Sequence, residues 1–159
     1  MKKLILGFSI ATIIGFGFTG CATKYQSQGF TGGYEETQLS KNVFTVSFKG
    51  NGYTSSTRAK DFTLLRSAEV TLENGFKFFS IISADSSMSY MTTSSQYKTT
   101  GSVNNMGYVN LNTRQTGGMT FSKPSSSNTI VCFENEPSGQ VSFDATFVAK
   151  SIKKKYDIE

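Results

Sequence analysis

Apolar and polar side chains alternate strictly over residues 43–49, where Phe44, Val46 and Phe48 share one side. Successive side chains of a β-strand point to opposite faces, so this spacing predicts a half-buried strand. The Gly-Asn-Gly run at 50–52 favours a turn, because glycine adopts backbone conformations that other residues avoid. The pattern therefore predicts a strand that ends before this turn.

After the turn the hydrophobic spacing becomes helical. A run of Ser and Thr at 54–57 offers N-cap side chains, and Gly75 is a typical C-terminal stop. We therefore expect a helix from about Thr57 to Asn74. Four apolar side chains recur at intervals of three or four residues and share one face of it: Phe62, Leu65, Ala68 and Leu72.

Two further apolar runs, at 76–82 and 128–133, are typical of β-strands. The last amphipathic segment runs from Asp144 to Tyr156 and predicts a second helix, capped by Asp144. The predicted fold class is α+β. We expect a small single domain over 43–159, in which an antiparallel or mixed sheet is packed by one long helix and a C-terminal helix.

The segment 85–128 follows neither pattern. Ser, Thr, Asn and Gly make up 26 of its 44 residues, which is too polar for a core helix. We predict a long Ser/Thr-rich hairpin or loop inserted in the domain. Tyr90, Tyr97 and Tyr108, set among Ser and Asn, resemble an adaptable binding surface for a saccharide or an envelope protein. A disordered loop is the alternative.

The chain begins with Met1-Lys2-Lys3, followed by an uncharged and mostly apolar run over 4–18. This run has the length of a secretory signal core and is shorter than the roughly 20 residues of a membrane-spanning helix. We predict that residues 1–20 are a cleaved signal peptide.

The run Phe18-Thr19-Gly20-Cys21 resembles the bacterial lipoprotein box, although Phe18 stands where leucine is usual. The resemblance implies that Cys21 is lipidated with two or three acyl chains, so that the membrane itself is a partner. By the same resemblance, an Asp at position 22 would indicate retention in the inner membrane, so Ala22 favours the outer membrane. The Gly, Gln, Ser and Thr of 21–42 predict a flexible tether. An ordinary signal peptide with a chance cysteine is the alternative.

Composition excludes several classes of function. The 159 residues contain no His, which removes the commonest general base and metal ligand. Of the 16 basic residues Lys2 and Lys3 leave with the signal peptide, so 14 remain against 11 acidic ones; this net charge of +3 is too small to indicate nucleic acid. Cys132 lies in an apolar run and is predicted to be buried. We expect no catalytic triad, metal site or cofactor.

The long helix carries one anomaly, since Asp61 and Glu69 project into the arc of its apolar side chains. A carboxylate there has to be paired or reach the edge of the interface, and Arg66 has the spacing to pair with Glu69. We take Asp61, Arg66 and Glu69 as a candidate polar site, with a structural ion pair as the alternative. A carboxylate-based hydrolase of cell-wall or polysaccharide substrate stays open, although nothing selects two of the carboxylates.

Four short motifs stand in the first half of the mature chain: Tyr34-Glu35-Glu36-Thr37, the run Phe44–Gly52, the run Asp61–Glu69 and Gly75-Phe76. Together they resemble a family of small bacterial lipoproteins that is known by locus-number labels and has no assigned activity. The resemblance implies secretion, lipidation and one α+β domain, and it supplies no catalytic residues. We therefore expect a lipid-anchored, non-enzymatic binding or assembly module on the periplasmic side of the envelope; a structural lipoprotein without a ligand is a third possibility.

Overall fold

A computed structural model describes residues 21–159, so the predicted signal peptide at 1–20 lies outside the described residues. All pairings between the strands are antiparallel, and five strands form one sheet in the order β1-β2-β6-β3-β7, while β4 and β5 form a two-stranded ribbon. The predicted α+β fold is confirmed. The described elements are β1 (Gly33–Ser40), β2 (Val43–Lys49), α1 (Ser56–Glu73), β3 (Phe78–Thr92), β4 (Ser95–Val103), β5 (Val109–Gly117), β6 (Thr120–Phe133), β7 (Phe143–Asp144) and α2 (Ala145–Tyr156).

The strand predicted from the first alternation is β2, and its apolar side faces the helices. Phe44, Val46 and Phe48 are each at most 3% exposed. Phe48 packs edge-on against Phe62 of α1, with 5.1 Å between the ring centroids. Alternation along β2 thus supplies the floor of the core on which α1 lies.

The helix α1 matches the predicted helix to within one residue at each end. Ser55 is the N-cap, and its Oγ accepts a hydrogen bond from the amide of Arg58 at 3.1 Å. Gly75 follows the helix with a φ of +83°, in the left-handed region that favours glycine. Both ends therefore follow from local sequence.

A stripe of small hydroxyl residues, Thr63, Ser67 and Thr71, lies buried on α1. Each hydroxyl donates a hydrogen bond to the carbonyl oxygen four residues earlier, at 2.8–2.9 Å. The Thr63 hydroxyl also lies 3.2 Å from the carbonyl oxygen of Ser126 in β6. Because the helix satisfies these hydroxyls itself, polar residues line the contact with the sheet, which the apolar pattern did not predict.

The helix α2 begins at the predicted cap, since Asp144 Oδ1 accepts a hydrogen bond from the amide of Phe147 at 2.8 Å. Val148 and Ile152 are buried in the main core. The ring of Tyr156, the last helical residue, packs edge-on against Phe62, with 4.9 Å between centroids. The two helices therefore share one aromatic contact above β2.

The prediction of a flexible tether over 21–42 is wrong. The second half of this segment forms β1, which pairs with β2. The first half is also fixed: Thr23 is 3% exposed, and the ring of Tyr25 lies 4.8 Å from that of Tyr34 and 5.4 Å from that of Phe62. The two tyrosines attach the segment to the core by burying their large rings. The average composition of residues 21–42, which is rich in Gly and Gln, does not reveal the effect of these two residues.

Residues 85–128 form a long antiparallel hairpin, one of the two forms predicted for them. Its strands β3 and β6 pair outward as far as Thr92 and Thr120. After an interruption of two residues on each strand, β4 and β5 resume the same register. Gly117 and Gly118 lie at this junction with φ values of +88°, which glycine adopts without strain. We call residues 95–117 the ribbon.

Candidate functional site

Cys21, the predicted lipidation site, is exposed at the start of the described chain. Its carbonyl oxygen accepts a hydrogen bond from Asn51 Nδ2 at 2.9 Å. Thr23 is fixed to the same turn, because its amide donates to Thr54 Oγ1 at 3.0 Å and its own Oγ1 accepts from the amide of Asn51 at 2.9 Å. The residue predicted to carry lipid is thus held against the body of the domain.

The second cysteine has a different setting. Cys132 is 1% exposed, and its Sγ lies 3.4 Å from Thr71 Oγ1. Burial raises the pKa of the Cys132 thiol above its ordinary value. The predicted burial of Cys132 is confirmed, and the two cysteines form a natural pair for comparison.

Tyr25 links the N-terminal segment to α1. Its hydroxyl donates a hydrogen bond to a carboxylate oxygen of Glu69. Burial, reinforced by the hydrogen bond to Glu69, raises the pKa of Tyr25 above its ordinary value. The phenol therefore stays protonated at neutral pH and serves Glu69 as a donor.

Arg66 is the centre of a charged cluster, and its side chain is only 11% exposed. Nε and Nη2 donate to the two carboxylate oxygens of Glu36 at 3.1 and 2.8 Å. Nη1 and Nη2 donate to those of Glu73 at 2.8 and 3.0 Å, and Nη1 lies 3.5 Å from Glu69. The ring centroid of Tyr34 is 4.7 Å from the guanidinium carbon. Five contacts thus match the five N–H donors of arginine.

Ion pairs stabilise the charges of this cluster and link it to α2. Burial opposes the charge of Arg66, but hydrogen bonds to Glu36 and Glu73 outweigh it and raise the pKa of Arg66 above its ordinary value. Lys153 of α2 lies 3.3 Å from the carboxylate of Glu69. The cluster borders an open depression of about 530 Å³. Since its charges already pair with one another, it ties β1, α1, α2 and the N-terminal segment together rather than presenting a reactive group.

The structure divides the predicted polar site. Arg66 and Glu69 lie together, but Asp61 binds α2 separately: its Oδ2 accepts hydrogen bonds from the Tyr156 hydroxyl at 2.6 Å and from Lys155 Nζ at 2.7 Å. The prediction of one site formed by all three residues is therefore wrong. Residues eight apart on a helix are separated by about 12 Å along its axis, and α2 supplies a different partner at each level.

Sequence reasoning missed two of the partners of Arg66. Glu73 follows Arg66 by seven residues, a spacing that places both on the same face of a helix, so the sequence did contain an indication of this pair. Glu36 lies on β1, in the segment predicted as a tether, and no local pattern connects it with α1. Partners across strands and helices of this kind depend on topology rather than on spacing.

The three tyrosines predicted as a binding surface are exposed but do not share one surface. Tyr90 lies in β3, Tyr97 in β4 and Tyr108 in the loop that joins β4 to β5. Seven residues of extended chain place Tyr90 and Tyr97 about 23 Å apart. The hairpin thus spreads these rings along its length, and their role in binding stays a prediction.

The ribbon has two chemically different faces. Residues directly opposite each other in an antiparallel pair point to the same face, so the register assigns every side chain. Lys98 pairs with Arg114 on one of them, which we call the polar face, and it borders an open depression of about 340 Å³. The same register places six hydroxyl and amide side chains beside them: Gln96, Thr100, Ser102, Asn110, Asn112 and Thr116.

The opposite face of the ribbon, which we call the apolar face, carries no charged side chain. Thr99 and Thr113 pair at its centre, with their hydroxyl oxygens 2.9 Å apart. Every residue of β4 and β5 except Ser95 is exposed. The large apolar side chains of this face are between 63% and 68% exposed: Tyr97, Val103, Val109 and Leu111. Gln115, opposite Tyr97, lies on the same face, and its Nε2 donates a hydrogen bond to Ser95 Oγ at 2.9 Å.

Other kinds of site are not found in this part of the chain. Within residues 21–159, His, Cys, Asp and Glu side chains do not gather in threes as a metal ion would require. Neither described helix is long and apolar enough to cross a bilayer. No family model, curated protein or solved structure matches the chain. The resemblance to a lipoprotein family therefore stays a prediction.

Proposed function

We propose that this chain is a lipid-anchored protein of the bacterial cell envelope, attached through Cys21 to the periplasmic side of the outer membrane, and that it acts by binding or assembly. The position of Cys21 carries the proposal. The residue is exposed, and its own carbonyl oxygen is bound to Asn51. An acyl group on Cys21 would therefore hold the body directly at the bilayer surface, without a spacer.

The polar face of the ribbon is the part of the molecule best suited to binding. It offers two cations, Lys98 and Arg114, among amide and hydroxyl groups. The sequence contains no Asp or Glu between residues 86 and 133, so no acidic side chain of the ribbon neutralises these cations. This chemistry favours an anionic partner in the envelope, such as an acidic saccharide or an acidic protein surface.

The alternative of a carboxylate-based hydrolase gains no support from the charged cluster. A glycoside hydrolase needs two carboxylates at a fixed separation around a substrate. Glu36, Glu69 and Glu73 instead converge on the single guanidinium of Arg66. We therefore favour binding over catalysis.

Metabolic labelling with radioactive palmitate tests the anchor. Wild-type protein should take up label and sediment with the outer membrane, whereas Cys21→Ala should do neither. Cys132→Ala is the matched control, because it removes the other cysteine and should label like the wild type. Equal labelling of Cys21→Ala, or a wild-type protein that is soluble with its leader cut elsewhere, would refute the anchor.

Crosslinking in intact cells tests the binding surface. A photoreactive amino acid at Asn112, on the polar face, should capture a specific partner, whereas the same group at the exposed Glu134 of the body should not. Replacing both Lys98 and Arg114 with Gln should abolish the capture if the partner is anionic. Identical patterns from Asn112 and Glu134 would argue against a binding role for the ribbon.

A further inference from the structure

The apolar face of the ribbon lacks a cover among the described residues. It exposes Tyr97, Val103, Val109 and Leu111. The other side chains on this face are uncharged: Thr99, Thr113, Ser95 and Gln115, of which Gln115 Nε2 donates a hydrogen bond to Ser95 Oγ at 2.9 Å. Two-stranded hairpins are at best marginally stable in water, and three or more strands or a packed layer are normally needed. Each Leu or Val side chain that leaves water for an apolar phase is stabilised in proportion to the apolar area it buries. An apolar partner on this face would therefore stabilise the ribbon.

The location of Cys21 indicates what this partner is. Cys21 is bound to the turn at Asn51, and the next residue of that turn, Gly52, lies beside Phe121 of β6, from which the hairpin projects. A Cβ at Gly52 would lie 3.4 Å from the Cβ of Phe121. The predicted lipid attachment point and the base of the hairpin are thus at the same end of the molecule.

The distribution of charge points to the same partner. Lys98 and Arg114, the charged residues of the ribbon, both lie on the polar face, so the apolar face meets a hydrocarbon layer without burying a charge. Lipid tolerates an uncharged face of this kind, whereas the unpaired edges of the ribbon require polar surroundings. A ribbon lying flat at the membrane interface satisfies both conditions.

We propose that the ribbon is a membrane-contacting arm, which lies in the plane of the bilayer interface with Tyr97, Val103, Val109 and Leu111 in lipid and with Lys98 and Arg114 turned to the aqueous side. This inference rests on the proposed anchoring at Cys21, which brings the bilayer within reach. It assigns lipid to one face of the ribbon and leaves the polar face open to the anionic partner.

Fluorescent labels on neighbouring residues test this arrangement. In a Cys132→Ser background, Leu111→Cys and Asn112→Cys place an environment-sensitive label on the apolar and polar faces, respectively. The acylated full-length protein is reconstituted into vesicles of phosphatidylethanolamine and phosphatidylglycerol. The label at Leu111→Cys should shift its emission to shorter wavelength, be quenched by spin-labelled lipid and lose quenching by iodide. The label at Asn112→Cys should remain open to iodide.

The controls separate this proposal from the anchor. The Cys132→Ser parent, labelled in parallel, reports any reaction at Cys21. A protein that floats with the vesicles while both labels stay open to iodide keeps the anchor and overturns the ribbon proposal. Protection of both labels also overturns it, because the faces would then be equivalent. A protein that lacks acylation, yet protects only Leu111→Cys when vesicles are added, refutes the anchor and supports the ribbon.

Discussion

The body of the domain and the ribbon use the same alternation of side chains with opposite results. In β2 the apolar side is at most 3% exposed, because α1 lies over it. In β4 and β5 the apolar side is more than 60% exposed. Alternation therefore specifies which face of a strand is apolar, but the cover for that face comes from another element or from another phase.

The helices cover the sheet only where the hairpin is still part of it. Ser126 of β6 contacts Thr63 of α1, and Ile130 is fully buried. The pairing of β2 with β6 ends at Ser125, and beyond Pro124 the hairpin continues without a third strand. Cross-strand contacts such as that of Thr99 with Thr113 then hold the pair together. The two regions thus differ in tertiary support rather than in local pattern.

The largest effect is expected at the aromatic floor of the core. Phe48→Ala should lower the free energy of unfolding by about 3–5 kcal/mol, since it removes a buried ring and leaves a cavity beneath Phe62. Chemical denaturation followed by circular dichroism measures the change. The loss should be accompanied by a lower melting temperature.

The matched variant in the ribbon is Tyr97→Ala. This ring is of similar size but 68% exposed. In the absence of lipid the substitution should change the free energy of unfolding by no more than about 0.5 kcal/mol. A large loss at Tyr97, or a small one at Phe48, would mean that the contrast between the two regions is mistaken.

The next effect concerns the charged cluster. Arg66→Met should lower the free energy of unfolding by about 3 kcal/mol, the lower end for a broken buried pair, because Glu36 and Glu73 keep some access to water. The methionine retains much of the volume, so the loss reports the missing charge. Urea denaturation at neutral pH measures it.

An exposed ion pair provides the control for Arg66→Met. Lys49 and Glu35 lie 3.6 Å apart and each side chain is 56% exposed. Lys49→Met should therefore cost less than about 1 kcal/mol. If Arg66→Met and Lys49→Met were equally stable, Arg66 would act as an ordinary surface charge and would not hold β1, α1, α2 and the N-terminal segment together.

A smaller effect is expected at Tyr25, which fixes the N-terminal segment. Tyr25→Phe removes one hydrogen bond to a charged group and should cost about 1.5 kcal/mol. Because the folded pKa of Tyr25 is raised, its contribution is fully present below about pH 10 and is lost as the pH rises above that value. Wild-type stability should fall steeply there, and that of Tyr25→Phe less steeply.

Melting curves between pH 8 and pH 11 measure this dependence. Tyr53→Phe is the control, since Tyr53 is 63% exposed and its substitution should leave the free energy of unfolding unchanged. Equal slopes for wild type and Tyr25→Phe would show that Tyr25 is not the group that loses its proton on unfolding.

The sequence predicted the elements whose signals are local. An N-cap within the Ser and Thr run at 54–57, the stop at Gly75 and the cap at Asp144 each depend on neighbours along the chain. The structure has all three, with Ser55 as the residue of the run that caps α1. The N-terminal segment was missed because Tyr25 gains its burial from Phe62, far away in sequence. A window of polar residues cannot indicate what one tyrosine in it will touch.

The candidate site was predicted only in part, for the same reason. The spacing of Arg66 and Glu69 on one helix indicated their pairing, which the structure has at 3.5 Å. The contribution of Glu36 required the position of β1, and the separation of Asp61 required that of α2. Charges on one element are predictable from spacing, whereas charges brought together from several elements require the topology.

The smallest free energy is expected for opening of the ribbon. Its amide hydrogens should exchange with solvent at an opening free energy near zero, whereas those of β2 and of the paired part of β6 should exchange only on global unfolding. Hydrogen–deuterium exchange with mass spectrometry distinguishes peptides from the two regions. Equal protection in water would contradict the contrast drawn above. If the ribbon is protected only when vesicles are present, the body and the ribbon follow the same principle: an apolar face is stable when another element or a lipid phase covers it.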